Sequence, residues 1–209
     1  MRLAPGARTS AAAALALAVP LVFVATPVAF VLVALAGFVL WFHRDPDRDV
    51  PDRGVVSPAD GRVSVRRVED GRVRIGVFMN VTDVHVNRAP LDGVVASVDH
   101  RAGAHRPAFS KDSARNERVR IRTDSYELDL IAGAFARRIH PYVESGDVLA
   151  RGERVGHVSF GSRADVLLPA GYDLDDVRVE LGESVRAGET VVAQTSESSA
   201  EPSSAAYSS

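Results

Sequence analysis

The pair Gly161-Ser162, in the stretch V-S-F-G-S-R-A-D-V, has the residue types needed to break its own peptide bond. In an N→O acyl shift a serine hydroxyl attacks the carbonyl before it, and glycine removes the Cβ obstruction and tolerates a strained backbone. β-Elimination of the ester would then leave a pyruvoyl group. The simpler interpretation is a turn. A hydrolase serine is disfavoured, because the elbow G-x-S-x-G would need glycine where the chain has Phe160 and Ala164.

Two other segments could supply acid–base chemistry. V-F-M-N-V-T-D-V-H-V-N-R-A-P-L-D-G contains His85, whose unperturbed pKa near neutrality suits a general acid or base; a surface histidine is the alternative. S-P-A-D-G contains Asp60, which could orient a histidine or simply belong to a β-turn. No H-x-H or H-E-x-x-H spacing occurs, so a metal site is disfavoured.

Basic side chains could hold an anionic group of a substrate. The segment A-F-S-K-D-S-A-R-N-E-R-V contains Lys111, Asn116 and Arg118, and A-R-R-I adds Arg137 and Arg138. Guanidinium and ammonium groups bind phosphate and carboxylate, although a solvated loop explains the same charges.

The elements that must position these residues are predicted to be mainly β. Short Val/Ile-rich segments with strict alternation, such as R-V-R-I-R at 118–122, indicate half-buried antiparallel strands over residues 54–195, arranged as a sandwich or barrel-like pair of sheets. G-D-V-L-A-R-G-E-R-V-G and G-E-S-V-R-A-G-E-T-V-V-A share a rhythm similar to the hammerhead β-barrels of biotinyl and lipoyl carriers. Neither copy has a lysine, which disfavours a carrier. The tail 196–209 is expected to be disordered.

The first 43 residues are predicted to anchor the protein. An uncharged apolar stretch from Ser10 to Phe42 suits a transmembrane helical hairpin that turns at Thr26-Pro27; a single tilted helix is the alternative, and the length disfavours a signal peptide. Basic residues at both ends predict a catalytic domain on the cytoplasmic side of the cell membrane. Residues 44–53 are predicted to be a linker.

Composition removes several classes of function. The absence of cysteine excludes disulfides, thiolate metal sites and a thiol nucleophile. A net charge of −2 gives no indication of nucleic-acid binding. Lys111 is the only lysine, so only one site could carry a lysine Schiff base.

Six motifs in order resemble the phosphatidylserine decarboxylase family, in particular its short archaeal-type members, the archaetidylserine decarboxylases. The resemblance extends from the apolar N-terminus to about Ala193. The motifs are F-H-R-D-P, S-P-A-D-G, V-F-M-N-V-T-D-V-H-V-N-R-A-P, N-E-R, A-R-R-I and F-G-S-R-A-D-V-L-L-P.

The resemblance implies that the proenzyme cuts itself between Gly161 and Ser162. It implies a β chain of residues 1–161 and an α chain of 162–209, and it leaves further dimerisation of this pair open. Ser162 would become the covalent pyruvoyl (pyruvate) cofactor, without pyridoxal phosphate or metal. The substrate would be a serine phospholipid, archaetidylserine or phosphatidylserine, decarboxylated to the ethanolamine lipid through a Schiff base.

The resemblance also implies roles for individual residues. Asp60, His85 and Ser162 would form the maturation relay. Longer bacterial relatives have D-Y-H-R-V-H-M-P, so Arg88 stands where they have a second histidine, and the maturation base is left open. Candidate residues for the phosphodiester are Arg88, Lys111, Asn116, Arg118, Arg137 and Arg138.

Two alternatives belong to other classes. A non-enzymatic, membrane-tethered hammerhead adaptor would leave Asp60, His85 and the Gly161-Ser162 pair without a purpose. A metallopeptidase of similar β-fold would lack paired-histidine ligands.

Overall fold

The computed structural model describes residues 2–3, 7–21, 26–103, 116–133, 139–158 and 161–195. These residues form two helices, fifteen strands and a 3-10 turn at Leu174–Asp176. The helices are α1 (Ala7–Leu21) and α2 (Thr26–Phe42). The strands are β1 (Arg2–Leu3), β2 (Arg44–Asp45), β3 (Val55–Val56), β4 (Gly61–Glu69), β5 (Arg72–Phe78), β6 (Val86–Arg88), β7 (Gly93–Arg101), β8 (Arg118–Thr123), β9 (Glu127–Ile131), β10 (Ile139–Pro141), β11 (Val148–Leu149), β12 (Arg154–Val158), β13 (Arg163–Leu167), β14 (Ser184–Val185) and β15 (Val191–Ala193).

The largest sheet has eight antiparallel strands in the order β11-β7-β8-β9-β13-β5-β4-β14 and curls into a half-barrel. Alternation along its strands places Val119, Leu130 and Ala164 in the apolar core, while the neighbouring charged residues lie on the opposite face, where arginines bury Asp129 and Asp165. Strand β13, immediately after Ser162, pairs with β5 on one side and β9 on the other. The prediction of a mainly β protein is therefore confirmed.

A three-stranded sheet, in the order β10-β12-β6, brings the segment around His85 close to the segment before Ser162. His157 in β12 lies opposite His140 on one neighbour and Val86 on the other. The backbone N–H of Val158 donates to the carbonyl of His85 at 3.3 Å. Long-range pairing thus joins two motifs that are separated by more than 70 residues in the sequence.

The two look-alike segments fold as similar short strand and turn units. The second turn of each contains a glycine with positive φ, Gly152 at +78° and Gly188 at +74°. A Cβ on Gly188 would lie 3.5 Å from the Cα of Gly152, so the two turns pack directly against each other. The repeat seen in the sequence is a repeat in the structure.

The N-terminal helices contact each other and expose a broad apolar surface. Their 15 and 17 residues correspond to about 22 and 25 Å, less than the roughly 30 Å of a bilayer core. Within the described residues, no helix has both the length and the hydropathy for a membrane crossing. The predicted transmembrane hairpin is therefore not supported. Thr26 and Pro27 begin α2 rather than form a turn, and proline is well tolerated there.

The segment predicted as a linker, 44–53, packs on the β domain. Its strand β2 pairs with β1. Asp45 is buried between two arginines of the β domain, Arg88 and Arg154, and Arg48 pairs with Asp60. These contacts hold the end of α2 in place beside the candidate site. The predicted tail, 196–209, lies outside the described residues.

Candidate active site

Ser162 is fully buried at the entrance of β13. Its hydroxyl donates to the carbonyl of Val158 at 3.4 Å, and its own carbonyl accepts from the Met79 N–H at 2.8 Å. The preceding residue, Gly161, has φ +66°, a conformation in which a side chain would be strained. The Gly161-Ser162 bond therefore lies in a backbone geometry that favours glycine, with the hydroxyl shielded from solvent.

His85 is buried, and only one of its two ring nitrogens has a hydrogen-bond partner among the described residues. Its Nδ1 lies 3.0 Å from the carbonyl of Asp83. Since a carbonyl only accepts, Nδ1 carries the proton and Nε2 is left as the basic nitrogen. Nε2 is buried and has no hydrogen-bond partner in the described part of the chain. A base with this arrangement is ready to accept a proton from a group brought close to it.

Burial lowers the pKa of His85 to about 4. The hydrogen bond to Asp83 opposes this shift, whereas the nearby charges of His43 and Arg44 add to it. The ring of Phe42, the last residue of α2, lies 4.3 Å from the His85 ring, centroid to centroid, and helps exclude water. The helix end thus keeps His85 uncharged at neutral pH.

Asp60 forms no hydrogen bond with His85 among the described residues. Both of its carboxylate oxygens lie 2.9 Å from the guanidinium of Arg48, and one accepts from the Ala187 N–H at 2.8 Å. The prediction that Asp60 orients a histidine finds no contact among the described residues. The structure instead gives Asp60 the role of joining the segment after α2 to the turn that contains Ala187.

Arg88 does not replace the second histidine as a base. Its guanidinium donates to Asp45 at 2.8 Å and to the carbonyls of Gly152 and Pro46 at 2.9 and 3.0 Å. Burial lowers its pKa, and the charge of Asp45 opposes this effect. Arg88 therefore ties β6 to the segment after α2 and has no free donor directed at Ser162 among these contacts.

Of the other predicted phosphodiester residues, the structure describes two, Asn116 and Arg118, and neither is a hydrogen-bond partner of Ser162 in the described part of the chain. Asn116 is buried and donates to the carbonyl of Ala132, while Arg118 lies on the outer face of the large sheet, 3.5 Å from Asp129. Lys111, Arg137 and Arg138 lie outside the described residues.

Several residues near His85 were not singled out from the sequence. The hydroxyl of Tyr142 lies 2.7 Å from Nδ1 of His157, whose ring stacks on that of His140 at 4.6 Å. Burial lowers the pKa of His157 to about 4, and the nearby His140, His43 and His85 lower it further. Burial raises the pKa of Tyr142. In the sequence, these residues are marked only by the histidines in R-I-H-P-Y and V-G-H-V. Their proximity follows from the pairing of β10 with β12.

A cavity of about 390 Å³ lies next to the segment that contains Met79 and His85. Its wall includes Phe78 and Asp83, which adjoin the Met79 and His85 contacts described above, and the cationic side chains of Arg62 and Arg186. The Arg62 guanidinium donates to the carbonyl of Gly182 at 2.9 Å and forms no ion pair within the described ranges. Across the described ranges, no cluster of three His, Asp or Glu side chains has the arrangement of a metal site.

Comparison with known proteins places the chain among the carboxy-lyases. The family model of phosphatidylserine decarboxylase matches residues 35–193. A protein of Halobacterium salinarum that carries the name of an archaetidylserine decarboxylase proenzyme is 67% identical over 170 residues, 81% of this chain and 87% of the relative. The phosphatidylserine decarboxylase proenzymes of Streptomyces griseus and Thermobifida fusca are 50% and 52% identical, over 75% and 76% of this chain and 74% of each relative. The chain belongs to the phosphatidylserine decarboxylase family.

Proposed function

We propose that this chain is the proenzyme of a membrane-associated serine phospholipid decarboxylase that makes its own pyruvoyl group from Ser162. One observation carries the proposal. The fully buried Ser162 follows a glycine with positive φ, and the backbone of its hydroxyl acceptor, Val158, is hydrogen-bonded to His85, whose Nε2 has no partner among the described residues. Neither the non-enzymatic adaptor nor the metallopeptidase accounts for this arrangement in a member of a decarboxylase family.

Maturation needs no external reagent except water. The Ser162 hydroxyl adds to the Gly161 carbonyl and the peptide nitrogen leaves, so that an ester replaces the peptide bond. Loss of the Ser162 α proton expels the Gly161 carboxylate and leaves a dehydroalanine, whose imine form takes up one water and releases one ammonia. His85 is the base we assign to the hydroxyl proton, because its tautomer is fixed and its Nε2 is unpartnered.

The two chains produced by this cut would remain one folded unit. The α chain would contain β13, which pairs on both edges with strands of the β chain, together with β14 and β15, which pair with β4 and β3. The Asp60 carboxylate adds a hydrogen bond to Ala187 across the same boundary. We infer an α/β heterodimer held by strand pairing.

In the mature enzyme the pyruvoyl carbonyl would supply the electron sink for decarboxylation of the lipid amino acid. His85 is the group we assign to proton delivery after loss of carbon dioxide: its Nε2 would first accept a proton from the ammonium group of the substrate and would then return it to the carbon that has lost carbon dioxide. Phe42 lies against its ring and limits the access of water. The cavity beside Asp83 offers Arg62 and Arg186 to the phosphodiester, since Arg62 has no carboxylate partner among the described residues.

The helix pair suits attachment to the surface of a membrane. Phe30 and Val31 of α2 are 71% and 66% exposed, and the Arg44 guanidinium lies 4.5 Å from the centre of the Trp41 ring at the polar end of the helix. Apolar helix faces of this kind bury themselves at the boundary of head groups and acyl chains. We place the protein at the cytoplasmic face of the cell membrane, where α2 would deliver lipid close to His85.

The function is tested by incubating the purified full chain with vesicles of phosphatidylserine or archaetidylserine and measuring carbon dioxide and the ethanolamine lipid. We expect turnover with wild type and none with Ser162→Ala. Ser64→Ala, which removes a hydroxyl on β4 that donates to the Gly76 carbonyl, should retain it. Turnover by Ser162→Ala would refute the proposal, and the ratio of rates on the two lipids identifies the natural tail.

Membrane attachment is tested separately by cosedimentation with the same vesicles. Phe30→Ser should reduce binding several-fold, because it removes one of the most exposed apolar side chains of α2. Val148→Ser, at an equally exposed valine in β11, is the matched control and should bind like wild type. Equal losses in both variants would show that α2 is not the docking surface.

A further inference from the structure

The side-chain amide of Asn87 is buried without adequate hydrogen bonds. Its exposed fraction is 0%, and its Nδ2 makes only two long contacts, each 3.5 Å, to the carbonyl of Pro58 and to Sδ of Met79. Because the Pro58 carbonyl only accepts, the nitrogen must lie at that end. Oδ1 then meets no donor in the described part of the chain. A buried polar group left in this state lowers stability, so packing does not explain the presence of asparagine here.

Asn87 and Ser162 share a neighbour, Met79. The sulfur of Met79 contacts both residues, at 3.5 Å from Asn87 Nδ2 and 3.9 Å from Ser162 Oγ. The Met79 N–H also donates to the Ser162 carbonyl at 2.8 Å. Two residues earlier in the chain is His85, with its own unpartnered Nε2. Two under-bonded polar side chains thus come from the same short segment beside the bond to be cut.

The neighbouring Val86 points the other way. It belongs to a small apolar cluster with Val84, against which Tyr142 packs. Alternation along the strand therefore directs Val86 into this apolar cluster and Asn87 to the other face, where it contacts Met79.

We propose that the Asn87 amide stabilises the negative charge that forms on the Gly161 carbonyl oxygen when the Ser162 hydroxyl adds to it. This inference rests on the proposed self-cleavage. The N–H groups of Asn87 form only weak hydrogen bonds, one of them to the Met79 sulfur, which is a poor acceptor. They can donate instead to the negatively charged oxygen that forms on Gly161, which is a much stronger acceptor. The charge on the oxygen is lost when the peptide nitrogen takes up the proton that His85 removed from the hydroxyl and leaves as an amine, so the Asn87 amide itself is unchanged.

Removing such a donor is expected to slow the reaction by a hundredfold or more. Asn87→Leu should slow cleavage to this extent while its Tm stays at or above that of wild type, because it replaces an under-bonded polar group with an apolar one of similar size. Val86→Ala is the matched control from the opposite face. It should lower the Tm by removing buried methyl groups and cleave at the wild-type rate.

The pH dependence of cleavage in Asn87→Asp distinguishes a chemical role of Asn87 from a purely structural one. As a carboxylate the substituted side chain has no N–H or O–H donor and carries a like charge, so cleavage at neutral pH should be slow. Protonation restores an O–H donor, and burial raises the pKa of such a carboxyl above its usual range. Cleavage of Asn87→Asp should therefore accelerate as the pH falls, whereas Asn87→Leu should be slow at every pH.

The experiment follows cleavage by pulse-chase in cell-free translation of the full chain, with separation of the chains on a denaturing gel. Thermal unfolding is measured on each chain combined with Ser162→Ala, which keeps the protein in one piece. Slow cleavage with an unchanged Tm for Asn87→Leu, together with acid rescue of Asn87→Asp, supports the inference. Wild-type cleavage by Asn87→Leu overturns the inference and leaves the proposed function intact. A wild-type chain that is never cut overturns both.

Discussion

Acidification should destabilise the protein through His85, by an amount that follows from its burial. The folded-state pKa of about 4 lies below the ordinary value of 6.5, because the folded protein buries the ring and disfavours its charged form. The unfolded chain therefore binds a proton first as the pH falls. The contribution of neutral His85 to stability is complete above pH 6.5 and is lost between pH 6.5 and 4, about 3 kcal/mol in all.

The assay is urea unfolding at pH values from about 7.5 to 4, on the chain carrying Ser162→Ala so that a single species unfolds. His85→Gln should be less stable at neutral pH but should lose about 3 kcal/mol less on acidification, since glutamine does not titrate. Val86→Ala, at the neighbouring residue, should lower the free energy of unfolding at every pH without changing how steeply it depends on pH. If the free energy of unfolding depends on pH in the same way for His85→Gln and its parent, the assignment of a buried neutral histidine is refuted.

Two other substitutions test the surroundings of the site. Gly161→Ala should slow cleavage, because a backbone φ of +66° costs a residue with a Cβ about 1–2 kcal/mol. Cleavage is measured as the cut fraction on a denaturing gel, and normal cleavage would show that this conformation is not required. Asp45→Asn should lower the free energy of unfolding by about 3 kcal/mol or more, because it leaves Arg88 and Arg154 without their shared carboxylate. A loss below about 1 kcal/mol in urea unfolding would show that these ion pairs do not stabilise the fold.

The sequence supported those features that depend on local pattern. Alternation in segments such as 118–122 correctly predicted antiparallel strands, and the two glycine-containing repeats reappear as paired turns around Gly152 and Gly188. The motifs correctly predicted the family. Each of these properties is encoded within a few consecutive residues, so the order of residues along the chain is enough to predict it.

Features that depend on long-range pairing could not be predicted. Asp60 was expected beside a histidine, but no spacing reveals that Arg48, from the segment before it, takes both of its oxygens. The partner of Arg88 is Asp45, 43 residues earlier, and the Tyr142–His157 contact exists only because β10 pairs with β12. Hydropathy alone predicted a transmembrane hairpin at the N-terminus, but within the described residues neither α1 nor α2 is long and apolar enough to cross a membrane.

The intact mass of the purified full chain is the most direct test of the central claim that Ser162 becomes the pyruvoyl group. We predict two polypeptides, with the break after Gly161 and the smaller one lighter by one ammonia than a chain that begins with serine. Edman degradation of the smaller chain should be blocked. A single uncut chain that nevertheless decarboxylates a serine phospholipid, or a smaller chain with an ordinary serine at its N-terminus, would contradict the account.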